Sequence, residues 1–492
     1  MIRNLTVVLL LAVVVALPFV FRQKQSVGDW SGGDPVLEIV SPHNEAIRYE
    51  FQEAFSAWHR QKFGRPVKIE WLNIGGTTEI SRYLVSEFAA SGKTTTRVDL
   101  FFGGGEYDHT RLMQQGLSEA PWTELPFDPG YPERLSGETW RATNMFGTAL
   151  STFGICYNLD RLRDLGVTAP PTQWADLANP VFFGQIGVAD PTKSGSIAKA
   201  FEMIIHSEMA RTVHAAGITE AQIENYEKTR KWPDTYQAAV EAGWLKGLQL
   251  VQLIGANARY FTDSASKVPI DVAAGDAAVG LSIDFYARFQ AQVSRDDSGH
   301  ERMVYITPVG GSSVSADPIS LLRGAPNRDV AVRFIEFVLS RQGQQLWNDQ
   351  PGQPCSTVKK YALRRLPIRR DMYPQACSTD DLMAPTINPY TLAQSFTYRP
   401  RWTARHFNVQ RDLIRAMCLD SADELRDAWR AIIQNGGPVS QTAAMAELTK
   451  LPAGVTWASA VEITKKSDRM TYLREWTESY RGNYRRAREA VR

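Results

Sequence analysis

The sequence is short of the features that most catalytic and metal-binding folds depend on. Its 492 residues hold four cysteines, too few for a disulfide scaffold in a chain of this length. There is no CxxC pair and no Cys/His cluster at zinc spacing, which argues against a structural zinc site. Charge of one sign is also missing. Lys+Arg 55 against Asp+Glu 53 leaves a net charge of +2, so no basic excess points to a nucleic-acid partner. No HExxH occurs among the seven histidines, which removes the commonest metalloprotease signal. Gly92-Lys93-Thr94 resembles the end of a P-loop, but Glu87 stands where its first glycine is required. Gly103-Gly104-Gly105 fails as a dinucleotide fingerprint because Asp108 takes the place of the third glycine. Gly310 to Val314 lacks the closing glycine of a nucleophile elbow. The usual hydrolases and nucleotide enzymes are thereby disfavoured.

What is present describes a globular chain: 43% hydrophobic and 22% charged residues, with a length that calls for several domains rather than one core. The first informative segment is the apolar run Leu5 to Phe21, bounded by Arg3, Arg22 and Lys24. It has the flanks of a secretory h-region or of a short membrane anchor, so residues 1–25 read as a signal peptide or an uncleaved anchor. Leu17 to Phe21 occupies the place of a small-residue cleavage site, which favours the anchor and leaves cleavage open. Residues 26–35 then read as a polar linker. Both alternatives put the remainder outside the cytoplasm, in a periplasmic or extracytoplasmic compartment. Export permits a disulfide, and Cys355 and Cys377 flank a basic loop that such a bond could close; the sequence leaves paired and free states equally open. Cys156, in the apolar run TFGICYNL, and Cys418, in RDLIRAMCLD, read as buried thiols.

The body alternates strands and helices. Val36 to Val40 reads as a strand, and Ser41-Pro42-His43-Asn44-Glu45 opens a helix with Ile47, Phe51, Phe55 and Trp58 on its apolar side. Val67 to Leu72 alternates as a second strand, before a helix opened by Gly75-Gly76-Thr77-Thr78-Glu79. Val98 to Phe102 is a third, ending in Gly103-Gly104-Gly105-Glu106-Tyr107. Three strand, small-residue loop and helix units describe a parallel α/β sheet, with ligand-binding loops at the carboxyl ends of the strands. Asp190 to Ser196 and Thr262 to Ser266 repeat the device. Any one such loop is as well explained by capping; five in one pattern suggest a cleft lined by helix N-termini that takes a polar ligand.

Thr148 to Ile205 carries a resemblance. It is similar to the middle of bacterial extracellular solute-binding proteins of ABC importers, with the "YN" after a hinge strand, the P-x-x-W-x-D-L turn and the D-P-x-x-S-G loop of Asp190 to Gly195. Ala273 to Gly280, Ser315 to Leu321 and Gly324 to Trp347 resemble later elements of the same family. The match covers roughly residues 35 to 350. It implies a type II periplasmic-binding-protein fold: two α/β lobes joined by hinge strands, with the ligand trapped by closure. Lobe one would comprise residues 36–148 and 304–354 and lobe two residues 149–303; residues 355–492 lie beyond the resemblance and read as a mainly helical extension, whose last helix, Tyr472 to Arg492, either packs along one lobe through Trp476, Tyr480 and Tyr484 or offers a docking surface to a membrane partner or anionic lipid. The implied function is capture of a small polar solute for an ABC permease by a monomer without catalytic residues or a resident cofactor.

The nearest look-alikes within the family bind ferric iron or phosphonates and organophosphates. For iron the resemblance implies His43, Glu106 and Tyr286, with Asp284, as a partial shell in which Phe285-Tyr286 replaces a tyrosine pair. For an anionic solute the donors would be Asn44, Gly76, Thr77, Thr78, Ser151, Ser194, Gly195, Ser196 and Ser264. No arginine is evident at the cleft, and Asp263 and Asp284 add negative charge there, which also suits an amine-bearing or hydroxyl-rich ligand. Two further readings remain: a membrane-anchored ligand sensor, and an enzyme on the same scaffold with Cys156 as nucleophile.

Overall fold

The computed structural model describes residues 30–92, 94–353, 356–373 and 387–492. The apolar run of residues 5–21 and both Cys355 and Cys377 lie outside them. Among the described residues no helix is long and apolar enough to cross a membrane.

The first lobe starts as the pattern requires. Strand β1 (Val36–Val40) leads into helix α1 (Glu45–Phe63), whose Asn44 side chain accepts a hydrogen bond from the Ile47 amide at 3.1 Å. The cap satisfies one of the orphan N–H groups of the first turn. Ile47, Phe51 and Phe55 are buried, each side chain contributing about 2–3 kcal/mol of burial. Gly64 ends the helix at φ 76°, a conformation glycine adopts without a Cβ penalty. Strand β2 (Lys68–Leu72), helix α2 (Thr77–Ala90), strand β3 (Leu100–Phe102) and helix α3 (Glu106–Gln114) follow. β1 pairs in parallel with both β2 and β3.

Strand β4 (Met145–Ser151) then runs through Thr152 into β5 (Phe153–Asn158), and the chain changes lobe across that one residue. The second lobe contains β6 (Ile186–Ala189), α4 (Gly195–Ala215), α5 (Asp234–Ala256), β7 (Ala258–Thr262), α6 (Lys267–Ala274), β8 (Val279–Ile283), α7 (Asp284–Val293) and β9 (Met303–Ile306). Its sheet order is β7-β6-β8-β5-β9. The chain returns to the first lobe as β10 (Ser315–Leu322), which pairs antiparallel with β3 and β4. Helix α8 (Arg328–Leu339) and the short β11 (Leu366–Pro367) complete a sheet ordered β11-β4-β10-β3-β1-β2. Thr152 Oγ1 meets Thr307 Oγ1 at 2.9 Å and the Tyr305 hydroxyl at 3.1 Å, tying the outgoing crossing to the returning one.

The segment after residue 355 divides between the cores of the two lobes. Tyr390, Phe396 and Tyr398 join Phe51, Phe102 and Trp347 in the core of the first lobe. Beyond them Trp402, helix α9 (Phe407–Ile414), helix α10 (Ala422–Gln434) and helix α11 (Arg469–Glu489) join Phe201, Trp244 and Leu248 in the core of the second. The extension therefore makes a third passage between the lobes, around residues 398–402. The expected aromatic stripe does face the second lobe: Trp476, Tyr480 and Tyr484 are buried there. Apolar side chains on both halves of the extension explain the division, because each half has a core to enter.

Candidate ligand-binding site

Between the lobes lies a cleft of about 450 Å³. Four helices longer than eight residues start at its edge. Asn44 caps α1; Gly76 and Gly105 precede α2 and α3 without a side-chain cap; Ser194 caps α4 through a bond from the Ile197 amide at 3.3 Å. The two glycine-started helices have no side-chain cap, so first-turn amides there, apart from that of Asp108, which bonds the Gly105 carbonyl at 3.2 Å, can serve a ligand. Gly103 and Gly104 have φ of 97° and 105°, and a Cβ on them would stand 2.6 Å from His43 Nε2 and 2.7 Å from Thr77 Cγ2. Glycine is needed there for both backbone and space. The lobes are shut on one another: a Cβ on Gly76 would meet the Lys193 carbonyl oxygen at 2.7 Å, and one on Gly195 would meet Thr77 Oγ1 at 3.5 Å.

Most of the residues chosen from the sequence converge on this cleft. His43, Asn44, Gly76, Thr77, Glu106 and Ser151 line it from the first lobe. Ser194, Gly195, Ser196, Ser264 and Tyr286 line it from the second. Ser194 Oγ and Ser196 Oγ lie 3.1 Å apart, and Ser264 Oγ lies 3.0 Å from Ser266 Oγ. Each pair uses one of its two hydroxyl protons internally and keeps the other for a ligand.

Two choices need correcting. Thr78 does not line the cleft; its Oγ1 accepts a hydrogen bond from Arg411 of α9 at 2.6 Å. Asp284 is fully buried behind the wall, where it accepts the Phe285 amide at 2.9 Å and faces Arg288 at 3.8 Å. As the first residue of α7 it answers that helix's own N-terminus rather than a ligand.

The expectation that no arginine stands at the cleft is also corrected, since Arg48 and Arg365 both line it. Arg365, just before β11 of the first-lobe sheet, ion-pairs with Asp317, donates to Ser151 Oγ at 3.1 Å and lies over the Phe285 ring at 4.3 Å. Asp317 also takes His43 Nε2 at 2.9 Å. Burial opposes its charge, yet Arg365 and His43 together hold the Asp317 carboxyl well below the usual range. Burial in turn lowers the His43 pKa, so the imidazole is neutral and donates from Nε2. Arg48 differs. It gives one N–H to the Ser41 carbonyl at 2.7 Å, its Nε has no partner, and among the described residues no carboxylate pairs with it. It is half-buried beside Tyr286.

Lys193 and Lys199 add two cations, each compensated. Lys193 pairs with Asp263 at 2.6 Å. Lys199 is held by Glu138 of the first lobe at 3.0 Å and Glu202 of α4 at 2.9 Å, above the Tyr398 ring at 3.8 Å. Burial works against its charge, but the two glutamates outweigh it and keep the ammonium protonated. Glu106 lies in the field of this cluster; burial, and then Glu138, raise its pKa.

The three residues named as a partial iron shell are thus differently engaged. His43 is committed to Asp317 with Arg365 alongside, and burial raises the pKa of the Tyr286 phenol. Among the described residues no group of three or more His, Cys, Asp or Glu side chains is arranged to hold a metal ion. Cys156 is sealed in β5, its thiol pushed up to about 12 by burial, away from the cleft.

Arg48 could have been found from the sequence, because it follows the Asn44 cap by four residues and so shares its helix face. Arg365 could not: it sits in a basic loop that only the pairing of β11 with β4 brings to the cleft.

Comparison with known proteins agrees with this architecture. A protein of Haemophilus influenzae described as uncharacterized is 22% identical over 254 residues, 52% of this chain and 62% of its own. The phosphoglycerate transport regulatory protein PgtC of Salmonella typhimurium is 23% identical over 322 residues, 65% of each chain. The match therefore spans a little under two thirds of these relatives. Among solved structures, the periplasmic binding protein AfuA of Actinobacillus pleuropneumoniae, determined with fructose-6-phosphate bound, aligns with a TM-score of 0.50 at 18% identity, covering 77% of this chain and 98% of that one. At that identity the likeness concerns the fold. Residues 98–372, more than half of the chain, match the family described as bacterial extracellular solute-binding protein, and the chain belongs to that family.

Proposed function

We propose that the protein is the extracytoplasmic binding component of an ABC importer and that its solute is a small organic phosphate or phosphonate. One observation carries the ligand class: Arg48 is a half-buried cleft guanidinium with no carboxylate partner and an unused Nε. Glu45 acts on Arg48 only at a distance, without an ion pair; a half-buried guanidinium not neutralised by contact favours an anion and matches phosphate oxygens with two parallel hydrogen bonds. The uncapped starts of α2 and α3 and the hydroxyls of Thr77, Ser194 and Ser196 supply further donors around the same space. Asp263 and Glu106, also at the cleft, would accept hydrogen bonds from hydroxyl or amino groups on the organic part. The phosphoglycerate-related name of the Salmonella relative and the sugar phosphate bound by AfuA support a phosphorylated solute. Ferric iron fits less well, since it would sit beside Arg48 and Arg365 and would need a Tyr286 phenolate that burial opposes. Binding by closure needs no chemical step, so the protein is read as a carrier and not an enzyme.

The test is thermal denaturation of residues 30–492 with 3-phosphoglycerate, fructose 6-phosphate, 2-aminoethylphosphonate, inorganic phosphate, ferric citrate and spermidine. A ligand at a hundred times its Kd stabilises by about 2.7 kcal/mol. A phosphate or phosphonate is expected to raise the Tm, and Arg48→Ala to weaken it about 10- to 100-fold, the worth of a hydrogen bond to a charged group. A shift with ferric citrate or spermidine and none with the phosphorus compounds would overturn the ligand class.

A further inference from the structure

We propose that helix α9 of the C-terminal extension is a strap that fastens the two lobes in the closed position and forms a third wall of the ligand site. The helix is seated on the second lobe: Val409, Leu413 and Ile414 are buried in that lobe's core. From this seat its polar side reaches across to the first lobe. Arg411 donates to Thr78 Oγ1 at 2.6 Å and, on the second-lobe side, to the carbonyl oxygens of Pro191 at 2.7 Å and Thr192 at 2.9 Å. Asn408 donates to the Tyr107 hydroxyl at 2.6 Å, and the Phe407 ring packs on the Tyr107 ring at 5.2 Å. Thr78 and Tyr107 lie in the first turns of α2 and α3, the two helices that start at the cleft without a side-chain cap. Ala404 and Phe407 themselves line the cleft, so a ligand held there touches the extension as well as both lobes.

The lobes cannot swing apart without breaking these contacts. Arg411 is largely buried, and separation would strip Thr78 from it and return a guanidinium and a hydroxyl to water one contact at a time. The passage of the chain at Tyr398 adds a second restraint. The Tyr398 amide donates to the Ser136 carbonyl of the first lobe at 2.8 Å, and its hydroxyl donates to Glu202 of the second at 2.7 Å. A binding protein hinged on two crossings alone opens freely between two states. Here the extension biases that equilibrium toward closure before any ligand arrives, and ligand exchange requires the strap to let go.

The strap rests on the reading of the cleft as the ligand site, and its test uses the ligand-free protein so that the two can fail separately. Small-angle X-ray scattering and amide hydrogen exchange would be measured on the parent, on Arg411→Ala and on the double variant Thr78→Val/Tyr107→Phe. The double variant removes the two acceptors on the first lobe while keeping the side-chain volumes and leaving the extension untouched. The expected result is a larger radius of gyration in both variants and about tenfold faster exchange at residues 76–80 and 191–196, with unchanged far-ultraviolet circular dichroism. If Arg411→Ala fails to fold, the double variant decides. Folded variants whose radius and exchange equal those of the parent would overturn the strap, whether or not 3-phosphoglycerate binds. Opening on mutation in a protein that binds no phosphorus compound would leave the strap standing and remove the ligand class.

Discussion

At the scale of the residue, charge compensation decides which groups face a ligand. Arg365, Lys193 and Lys199 each have a carboxylate partner, and Arg48 has none among the described residues. Asp317 is the counterion that makes Arg365 affordable in a buried place. Its carboxyl is held below its ordinary value of 3.8, so the stability it contributes is present above that pH and is lost as the pH falls through the lower folded-state value. Asp317→Asn would leave Arg365 buried without a countercharge, a loss of about 3–5 kcal/mol near neutrality. Melting curves from pH 7 to pH 3 are expected to show a gap between parent and variant that is constant above about pH 3.8 and begins to narrow below it, as the carboxylate of the unfolded chain takes up its proton while the folded one stays ionised. A constant gap across that range would mean that Asp317 contributes by shape alone.

At the scale of the element, the sequence was most legible where a small loop opens a helix. Ser41 to Glu45, Gly75 to Glu79, Gly103 to Tyr107 and Asp190 to Ser196 all open helices at the cleft, because capping chemistry is local and acts within four residues. Asn44→Ala should cost about 1 kcal/mol through the lost bond to the Ile47 amide, and Asn44→Ser should recover most of it; paired denaturation curves give both values. Equal losses in the two variants would indicate that the Asn44 side chain does not act as a cap. The same local reasoning misjudged Thr78 and Asp284. Both lie in first turns and have the residue type of a ligand contact, yet Thr78 is taken by Arg411 and Asp284 is turned inside against Arg288. Which way a first-turn side chain is used depends on what packs beside it, and that neighbour is far away in sequence.

At the scale of the whole molecule, the extension is an integral part of both lobes. Trp402, Trp429, Trp476, Tyr480 and Tyr484 fill the second core beside Trp244 and Leu248. A chain ended at residue 397 would expose that apolar surface and lose several large side chains, each worth about 2–3 kcal/mol of burial. It is expected to aggregate or to bind the dye ANS without a cooperative melt. A soluble truncated chain melting cooperatively near the parent temperature would show instead that the second lobe stands without the extension.

The sequence by itself determined the alternation of strands and helices and the loops that open toward a polar cleft, because hydrophobic period and capping are encoded within a few residues of where they act; the two lobes were legible only through the resemblance to a family. Only the tertiary structure decided that Arg365 and Phe407 belong to the ligand site and that residues after 355 bind both lobes. Those placements join positions 322 residues apart, as in Arg365 against His43, and they follow from which apolar faces find each other when the chain collapses, a property of the folded whole that no short stretch of residues carries.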